Sequence, residues 1–155
     1  MRHIFSISRA TVDEAKYLVA VQVKAFKKDV DICGEGPPGY DSINRQKEFI
    51  KSLLYYKITD DNTIIGGFYL LCLTPGKYEL VRLFIDPSYQ RKGIGTMVLK
   101  YIEEAFDDIE ILELEASDFR KDNHIFYENR GFIKVGETQY AKDSFSYTYQ
   151  KVFHR

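Results

Sequence analysis

Hydrophobic residues recur along the chain with two periods, one typical of strands and one typical of helices. Apolar residues crowd the segment from Leu80 to Ile85, which predicts a buried strand that ends at Asp86-Pro87. After a turn that contains two glycines, apolar residues recur at helical spacing from Ile94 to Ala105. A further strand is predicted over 109–116, and two strands joined through a helix are expected to be parallel.

The flanking segments extend this pattern on both sides. Thr11 and Glu14 have the spacing of a capping box, which predicts the start of a helix. The turn residues at 60–62 separate two apolar runs and predict a hairpin. Segment 29–41 is predicted to be irregular, because its glycines and prolines exclude a helix or a central strand. A short helix is expected over 123–130, followed by an antiparallel strand pair.

Composition excludes several classes of protein. The 155 residues are 45% hydrophobic with a net charge of −1, which predicts one globular domain over 1–155 and argues against a nucleic-acid binder. The longest apolar run, 68–73, is too short to span a bilayer, and no signal-peptide pattern opens the chain. Cys33 and Cys72 lie far apart and the three histidines are scattered, so no metal site or disulfide is expected. We expect a cytoplasmic protein, a monomer or homodimer, without a membrane partner.

The turn before the central helix has the chemistry of an anion-binding site. It reads Gln90-Arg91-Lys92-Gly93-Ile94-Gly95, so two cations and two residues without a Cβ stand at a predicted helix N-terminus. The first backbone N–H groups of a helix lack intrahelical partners, and the helix dipole favours negative charge there. A phosphate-bearing ligand is therefore expected. The P-loop pattern is absent, and Val98 stands where a dinucleotide fingerprint needs a third glycine or alanine.

The same turn fits the pattern Q/R-x-x-G-x-G/A and resembles the pyrophosphate loop of the GCN5-related N-acetyltransferase (GNAT) superfamily. Asn123, Tyr127 and Gly131-Phe132 fit the same family further along, and the resemblance covers about residues 4 to 153. It implies an α/β fold with a mixed, mostly antiparallel sheet of about seven strands, about four flanking helices and a splayed parallel pair at the centre. It also implies acetyl transfer from acetyl-CoA to a primary amine of a small molecule or peptide, by direct attack in a ternary complex.

The resemblance assigns roles to individual residues. Glu79 stands where the histone-acetylating branch carries its catalytic glutamate, so it is the candidate base, directly or through water, with a pKa expected to rise in a buried cleft. A surface carboxylate paired with Arg82 is the alternative. Tyr127 is the candidate acid for the leaving thiolate, and ordinary packing is its alternative. The expected acetyl-CoA contacts lie along the strand end, the turn and the short helix: Leu83, Phe84, Ile85, Gln90, Arg91, Lys92, Gly93, Ile94, Gly95, Thr96 and Asn123.

Segment 29–41 carries four acidic residues and no basic one. It is predicted either to be a solvated surface loop or to form a wall of the acceptor site that attracts a cationic amine. In the second case, Glu35, Tyr40 and Asp41 are the candidate substrate-binding residues, and Tyr40 could stack on the substrate.

Two other classes of function are compatible with parts of the sequence. The first is an acyl-CoA sensor that keeps the fold and the loop but has lost acetyl transfer, although Glu79 and Tyr127 argue against it. The second is a dinucleotide-binding oxidoreductase, because Glu113 follows the glycines at about the distance used for ribose recognition. The basic approach to Gly93 and the missing third glycine argue against that class.

Overall fold

The computed structural model describes residues 2–154, which form seven strands and five α-helices. In chain order these are β1 (Phe5–Arg9), α1 (Ala15–Ala25), α2 (Lys27–Cys33), α3 (Ile43–Ser52), β2 (Leu54–Asp60), β3 (Thr63–Thr74), β4 (Lys77–Ile85), α4 (Ile94–Ala105), β5 (Ile111–Ser117), α5 (Lys121–Glu128), β6 (Ile133–Ala141) and β7 (Ser144–Val152). Two short 3₁₀ turns cover Val12–Glu14 and Pro87–Tyr89. None of the helices in the described range combines the length and apolar character needed to cross a bilayer.

The seven strands form one mixed sheet in the order β1-β2-β3-β4-β5-β7-β6. β4 and β5 are parallel, with Lys77–Leu80 opposite Ile111–Leu114, whereas β1–β2, β2–β3, β5–β7 and β6–β7 are antiparallel. The predicted α/β class, the parallel central pair and the antiparallel final pair are therefore confirmed. The chain divides into two compact units, one made of residues 2–70 and 82–105 and the other of residues 71–81 and 106–154.

In the first unit, aromatic residues alternate along the β2–β3 hairpin and pack on its two faces. Tyr55 stacks on Tyr69 with ring centroids 4.7 Å apart, and Tyr56 stacks on Phe68 at 5.2 Å. Tyr101 of α4 meets Tyr56 edge-on at 5.5 Å. Because neighbouring residues of a strand point to opposite faces, the hairpin supplies apolar surface to helices on both sides.

The two glycines inside β3 allow a close backbone approach. A Cβ added at Gly66 would lie 2.6 Å from the carbonyl oxygen of Phe84, which real side chains do not tolerate. The β2–β3 register also shifts between Ile58 and Thr59. The β2–β3 hairpin therefore has both a register shift and a close backbone approach near these glycines.

In the second unit, the core lies beneath β5 and β7. Leu112, Leu114 and Tyr149 are almost completely buried. β7 lies between β5 and β6, so the last strand of the chain pairs with both of its neighbours. The Tyr78 hydroxyl donates to the carboxylate of Asp108 at 2.9 Å.

One sequence prediction about the helices is wrong. Residues 29–33, predicted to be irregular, belong to α2. The helix-breaking residues begin only at Gly34, which adopts φ = +83° and donates its N–H to the Val30 carbonyl at 2.8 Å. This left-handed glycine ends the helix, and the Lys27–Asp31 ion pair spans one of its turns.

Candidate active site

The chain enters the glycine-containing turn through a capped 3₁₀ turn in the first unit. Asp86 ends β4, and its carboxylate accepts hydrogen bonds from the Ser88 N–H at 2.9 Å and the Ser88 hydroxyl at 2.8 Å. The Lys24 ammonium lies 3.8 Å from the same carboxylate. Burial would raise the pKa of Asp86, but Ser88 and Lys24 hold that pKa below its ordinary value. Asp86 is therefore charged at neutral pH and fixes the path of the turn.

The segment 90–96, which we call the phosphate loop, presents its backbone outward. Arg91 and Gly93 both adopt the left-handed region, with φ = +63° and +77°. This conformation is uncommon for a residue with a side chain, so the backbone at Arg91 is strained. A Cβ at Gly93 would meet no atom of the described residues within 4 Å. Open space therefore faces the backbone where the sequence predicts an anion.

Helix α4 begins directly in this loop. The Met97 N–H donates to the Gly93 carbonyl at 3.1 Å, and Ile94 is 2% exposed and anchors the first turn. Gln90, Arg91, Lys92, Gly93 and Thr96 are exposed, and Gly95 is partly exposed. The structure thus brings the predicted loop residues together at a helix N-terminus, which favours an anion through the N–H groups and the helix dipole.

The end of β4 leads into this region. Phe84 is buried and packs against Phe26 with ring centroids 6.4 Å apart, while Leu83 and Ile85 are half-buried. The Asp86 N–H donates to the Ile65 carbonyl at 2.7 Å. That the backbone of Leu83–Ile85 holds the pantetheine arm stays a prediction.

The segment 34–41, which we call the glycine–proline loop, is held by side chains from distant parts of the first unit. Gln46 donates its amide to the Gly39 carbonyl at 2.8 Å, and Arg82 donates to the adjacent Pro38 carbonyl at 3.4 Å. The Arg82 guanidinium also lies over the ring of Tyr69, 5.8 Å from its centroid. Two neighbouring carbonyls of the loop are therefore fixed from two directions.

Tyr40 is largely engaged within the glycine–proline loop itself. A Cβ at Gly36 would lie 2.6 Å from the Tyr40 ring, and Phe26 meets that ring edge-on at 6.2 Å. Tyr40 is half-buried, whereas Glu35 and Asp41 are exposed. Of the three candidate substrate-binding residues, two point their carboxylates into solvent and the third packs on its own loop.

The buried amide that holds this loop is not predicted from the sequence. Gln46 is completely buried, and its side-chain oxygen accepts a hydrogen bond from the Tyr55 hydroxyl at 2.6 Å. Gln22, also completely buried, donates to the same hydroxyl at 3.5 Å. The sequence carries one signal for Gln46, because it lies four residues before the buried Ile50 on the same helix face.

In the second unit, Glu79 lies half-buried in β4, in register with Glu113 of β5. The Gln150 amide donates to the Glu113 carboxylate at 2.7 Å, and the Lys77 ammonium lies 3.7 Å from it. The negative charge of Glu113 is therefore stabilised by these two neighbours. The second carboxylate, Glu79, lies opposite it on the adjacent strand. The assignment of Glu79 as the base stays a prediction.

Asn123 and Tyr127 lie one helical turn apart in α5, as predicted. Tyr127 is 8% exposed, and its ring meets Phe132 and Phe126 edge-on at 5.4 Å and 5.1 Å. Burial raises the pKa of Tyr127 to about 12, while the nearby Arg120 acts in the opposite sense. Among residues 2–154, the structure gives its hydroxyl no hydrogen-bond partner. The hydroxyl oxygen is not one of the fully buried side-chain atoms that lack a partner in this part of the chain, so it keeps contact with solvent and a ligand can reach it.

A groove of about 880 Å³ also lies in the first unit, between α1 and the β1–β3 strands. None of the predicted site residues lines it. Its charged side chains include two ion pairs, Lys57 with Glu14 and Lys24 with Asp86. Both lysines that line the groove are therefore paired with carboxylates.

Comparisons with known proteins agree with this geometry. The family model described as the acetyltransferase (GNAT) domain matches residues 51–134, more than half of the chain. The chain therefore belongs to the GNAT family of acetyltransferases, and this membership argues against the dinucleotide-binding oxidoreductase. No curated protein matches the chain.

Solved structures share the fold over almost the whole chain. The PaiA N-acetyltransferase of Thermoplasma acidophilum, solved in complex with coenzyme A, is 22% identical and covers 97% of this chain and 99% of its own, with a TM-score of 0.80. An acetyltransferase from Thermus thermophilus is 16% identical, covers 98% and 100%, and has a TM-score of 0.82. The ribosomal-protein-S18-alanine N-acetyltransferase of Escherichia coli is 15% identical, covers 96% and 94%, and has a TM-score of 0.76. At these identities, the likeness concerns the fold.

Proposed function

We propose that this protein is an N-acetyltransferase that moves the acetyl group of acetyl-CoA to a primary amine of a small molecule or peptide. The observation that carries the proposal is the phosphate loop, where left-handed Arg91 and Gly93 open the backbone at the N-terminus of α4. Family membership and the fold shared with an N-acetyltransferase that was solved with coenzyme A support it. In this proposal, residues 1–155 form one acetyltransferase domain.

The phosphate loop would bind the pyrophosphate of acetyl-CoA chiefly through its backbone. Successive N–H groups at a helix N-terminus suit phosphate oxygens, and the open space at Gly93 admits them closely. Arg91 and Lys92 add positive charge from exposed positions, where one ion pair contributes little. The backbone of Leu83–Ile85 and the side chain of Asn123 would hold the pantetheine arm.

Glu79 would act as the base, directly or through a water molecule. An alkyl ammonium with a pKa near 10.4 is not a nucleophile at neutral pH, so the acceptor must lose a proton before it attacks. The free amine then forms a bond to the thioester carbon, and the nitrogen of the tetrahedral intermediate loses its extra proton to solvent. The intermediate collapses, the carbon–sulfur bond breaks, and the released thiolate takes a proton from solvent. The products are the acetylated amine and coenzyme A.

Tyr127 would assist the departure of that thiolate. With a pKa of about 12, it remains protonated at neutral pH and can donate a hydrogen bond. A coenzyme A thiol ionises near 8.5, by analogy with cysteine, so complete proton transfer from Tyr127 to the thiolate is uphill. We therefore assign Tyr127 a hydrogen bond to the developing negative charge on sulfur, without complete transfer of its proton.

The glycine–proline loop would border the acceptor. Glu35 and Asp41 are exposed carboxylates that can attract a cationic amine through solvent. Tyr40 can contribute only the part of its ring that its own loop leaves open. We propose that the loop forms one wall of the acceptor site and attracts the amine through its charge, because Glu35 and Asp41 are exposed rather than buried in a pocket.

The test is thiol release from acetyl-CoA in the presence of a panel of polyamines, aminoglycosides and amino acids. We expect turnover that depends on both substrates, with an N-acetylated product seen by mass spectrometry. The control without amine gives the rate of hydrolysis. Binding of acetyl-CoA without turnover of any amine would contradict the transferase and favour the sensor.

A further inference from the structure

One carboxylate in the first unit ties three separate segments together beside the phosphate loop. Asp60, the last residue of β2, is 13% exposed at its side chain. It accepts hydrogen bonds from the Tyr89 hydroxyl at 2.9 Å and from the Ile4 N–H at 3.0 Å. His3 Nδ1 lies 2.8 Å from the same carboxylate.

The three aromatic rings around Asp60 also pack on one another. His3 stacks on Phe5 with ring centroids 5.2 Å apart, and Tyr89 meets His3 edge-on at 5.5 Å and Phe5 at 6.1 Å. The contacts of His3, Ile4 and Tyr89 hold the pKa of Asp60 below its ordinary value. The carboxylate is therefore charged at neutral pH and accepts several hydrogen bonds at once.

Tyr89 is the last residue of the capped 3₁₀ turn, and Gln90, the first residue of the phosphate loop, follows it directly. The start of the loop is thus fixed twice, by Asp86 through Ser88 and by Asp60 through Tyr89. The loop itself holds a strained left-handed Arg91 and a left-handed Gly93. A segment with such conformations loses less entropy on binding when one of its ends is already fixed.

We propose that Tyr89, held by Asp60 and His3, is a positioning residue that fixes the start of the phosphate loop and thereby strengthens pyrophosphate binding. This inference rests on the proposed acetyl-CoA function. Asp60 and Tyr89 touch no reacting group in this account. They act through the backbone that follows them, as supporting residues do around other binding sites.

The test compares two acyl donors, acetyl-CoA and S-acetylpantetheine, which lacks the pyrophosphate and the adenosine. Tyr89→Phe keeps the ring and removes one hydrogen bond to Asp60. We expect kcat/KM for acetyl-CoA to fall about three- to tenfold, the loss typical of one hydrogen bond, with kcat at saturating acetyl-CoA unchanged. The value of kcat/KM for S-acetylpantetheine should stay at that of the wild type.

Two further variants complete the design. Tyr17→Phe is the matched control, because Tyr17 is an exposed tyrosine of the same unit that lies outside this cluster. The double variant Asp60→Ala, Tyr89→Phe should lose no more acetyl-CoA selectivity than Asp60→Ala alone, because Asp60→Ala already removes the oxygen that accepts from the Tyr89 hydroxyl.

Equal losses for the two donors in Tyr89→Phe, or no loss for either, would overturn the inference. Additive losses in the double variant would overturn it as well. If the wild-type protein does not bind acetyl-CoA at all, the proposed function fails first and this inference fails with it. Binding of acetyl-CoA by the wild type therefore separates the two failures.

Discussion

The phosphate loop and the glycine–proline loop lie in the same unit and both depend on glycine, yet they are built in different ways. Gly93 and Gly34 share a left-handed φ, and a Cβ at either would meet no described atom within 4 Å. Gly93 opens the backbone at the start of a helix, whereas Gly34 closes the end of one. The same backbone conformation therefore serves ligand access in one loop and helix termination in the other.

The two loops also differ in what holds them. The phosphate loop is held at its start by the Asp86 cap and by the Tyr89 hydroxyl on Asp60, and at its end by the first turn of α4. The glycine–proline loop depends on Gln46 and Arg82, which reach two of its carbonyls from α3 and β4. The phosphate loop is thus anchored at its two ends, whereas the glycine–proline loop is anchored at two of its own carbonyls.

The largest loss of turnover should come from a substitution outside both loops that leaves the structure of both loops intact. We expect Glu79→Gln to lower kcat by about 10² to 10⁴, because a general base would be lost, while the Kd for acetyl-CoA stays unchanged. The low-pH limb of the turnover profile should disappear. Steady-state kinetics between pH 5 and 9 would check both points, with Glu115→Gln on the exposed part of β5 as the control. A surviving low-pH limb would show that Glu79 is structural.

The next effect should come from the tyrosine of α5. We expect Tyr127→Phe to lower kcat by about ten- to a thousandfold, because the hydrogen bond to the leaving sulfur is lost. Since the structure gives its hydroxyl no partner among residues 2–154, the free energy of unfolding should change by less than about 1 kcal/mol. The defect should shrink with an acyl donor whose thiol is more acidic. A lower melting temperature with normal turnover would instead make Tyr127 a core residue.

The pKa of Tyr127 predicts how turnover depends on pH. Because burial raises that pKa to about 12, the hydroxyl keeps its proton throughout the range from pH 7 to 10. Wild-type turnover should therefore show no decline in that range through deprotonation of Tyr127. A decline in turnover centred near pH 10 that is present in the wild type and absent from Tyr127→Phe would contradict the raised pKa of Tyr127.

A matched pair of glycine variants compares the two loops directly. We expect Gly93→Val to weaken acetyl-CoA binding more than tenfold, because its side chain would occupy the space where the pyrophosphate approaches. Gly34→Val imposes the same left-handed strain outside the phosphate loop, so it should leave the Kd for acetyl-CoA unchanged. Calorimetric titration of both variants measures the difference. An equal loss of affinity in the two variants would mean that backbone strain alone, and not the position of Gly93, decides binding. Wild-type affinity in Gly93→Val would contradict the assignment of the phosphate loop.

The smallest effect should come from the buried amide behind the glycine–proline loop. Gln46→Met leaves the Gly39 carbonyl and the Tyr55 hydroxyl short of a partner, which should lower the free energy of unfolding by about 1–3 kcal/mol. The KM for the acceptor amine should rise several-fold while that for acetyl-CoA stays constant. Tyr55→Phe should lower stability without changing the acceptor KM, because it keeps the Gln46–Gly39 contact. An unchanged acceptor KM in Gln46→Met would separate this loop from the acceptor site.

The difference between the loops also explains which parts could be predicted from the sequence. The strand, turn and helix around 80–105 are specified by neighbouring residues, so periodicity and the glycine spacing identify them. α2 escapes the same reasoning because the helix breakers at 34–39 lie next to it, and the mixed charges of 27–31 do not form an apolar stripe. Neighbouring residues in the sequence thus predict that a helix or strand is present more accurately than they predict where it ends.

Contacts between distant residues could not be predicted. No pattern in the sequence links His3 to Tyr89, 86 positions away in the chain, yet the two share Asp60. Arg82 reaches the Pro38 carbonyl, 44 positions away, and β7 pairs with β5 as well as with the predicted partner β6. Each of these pairings depends on the folded arrangement of the sheet and helices, and neither residue of a pair carries a sequence signal for the other.

The backbone N–H groups of the phosphate loop, which we propose bind the pyrophosphate, can be observed directly. Backbone amide resonances of Gly93, Ile94 and Gly95 should be followed by ¹⁵N NMR during titration with acetyl-CoA and, separately, with S-acetylpantetheine. We predict large downfield shifts of these amide protons with acetyl-CoA and almost none with S-acetylpantetheine, because only the first donor carries phosphates. Saturation with acetyl-CoA that leaves these three amides unshifted, while others move, would contradict the account.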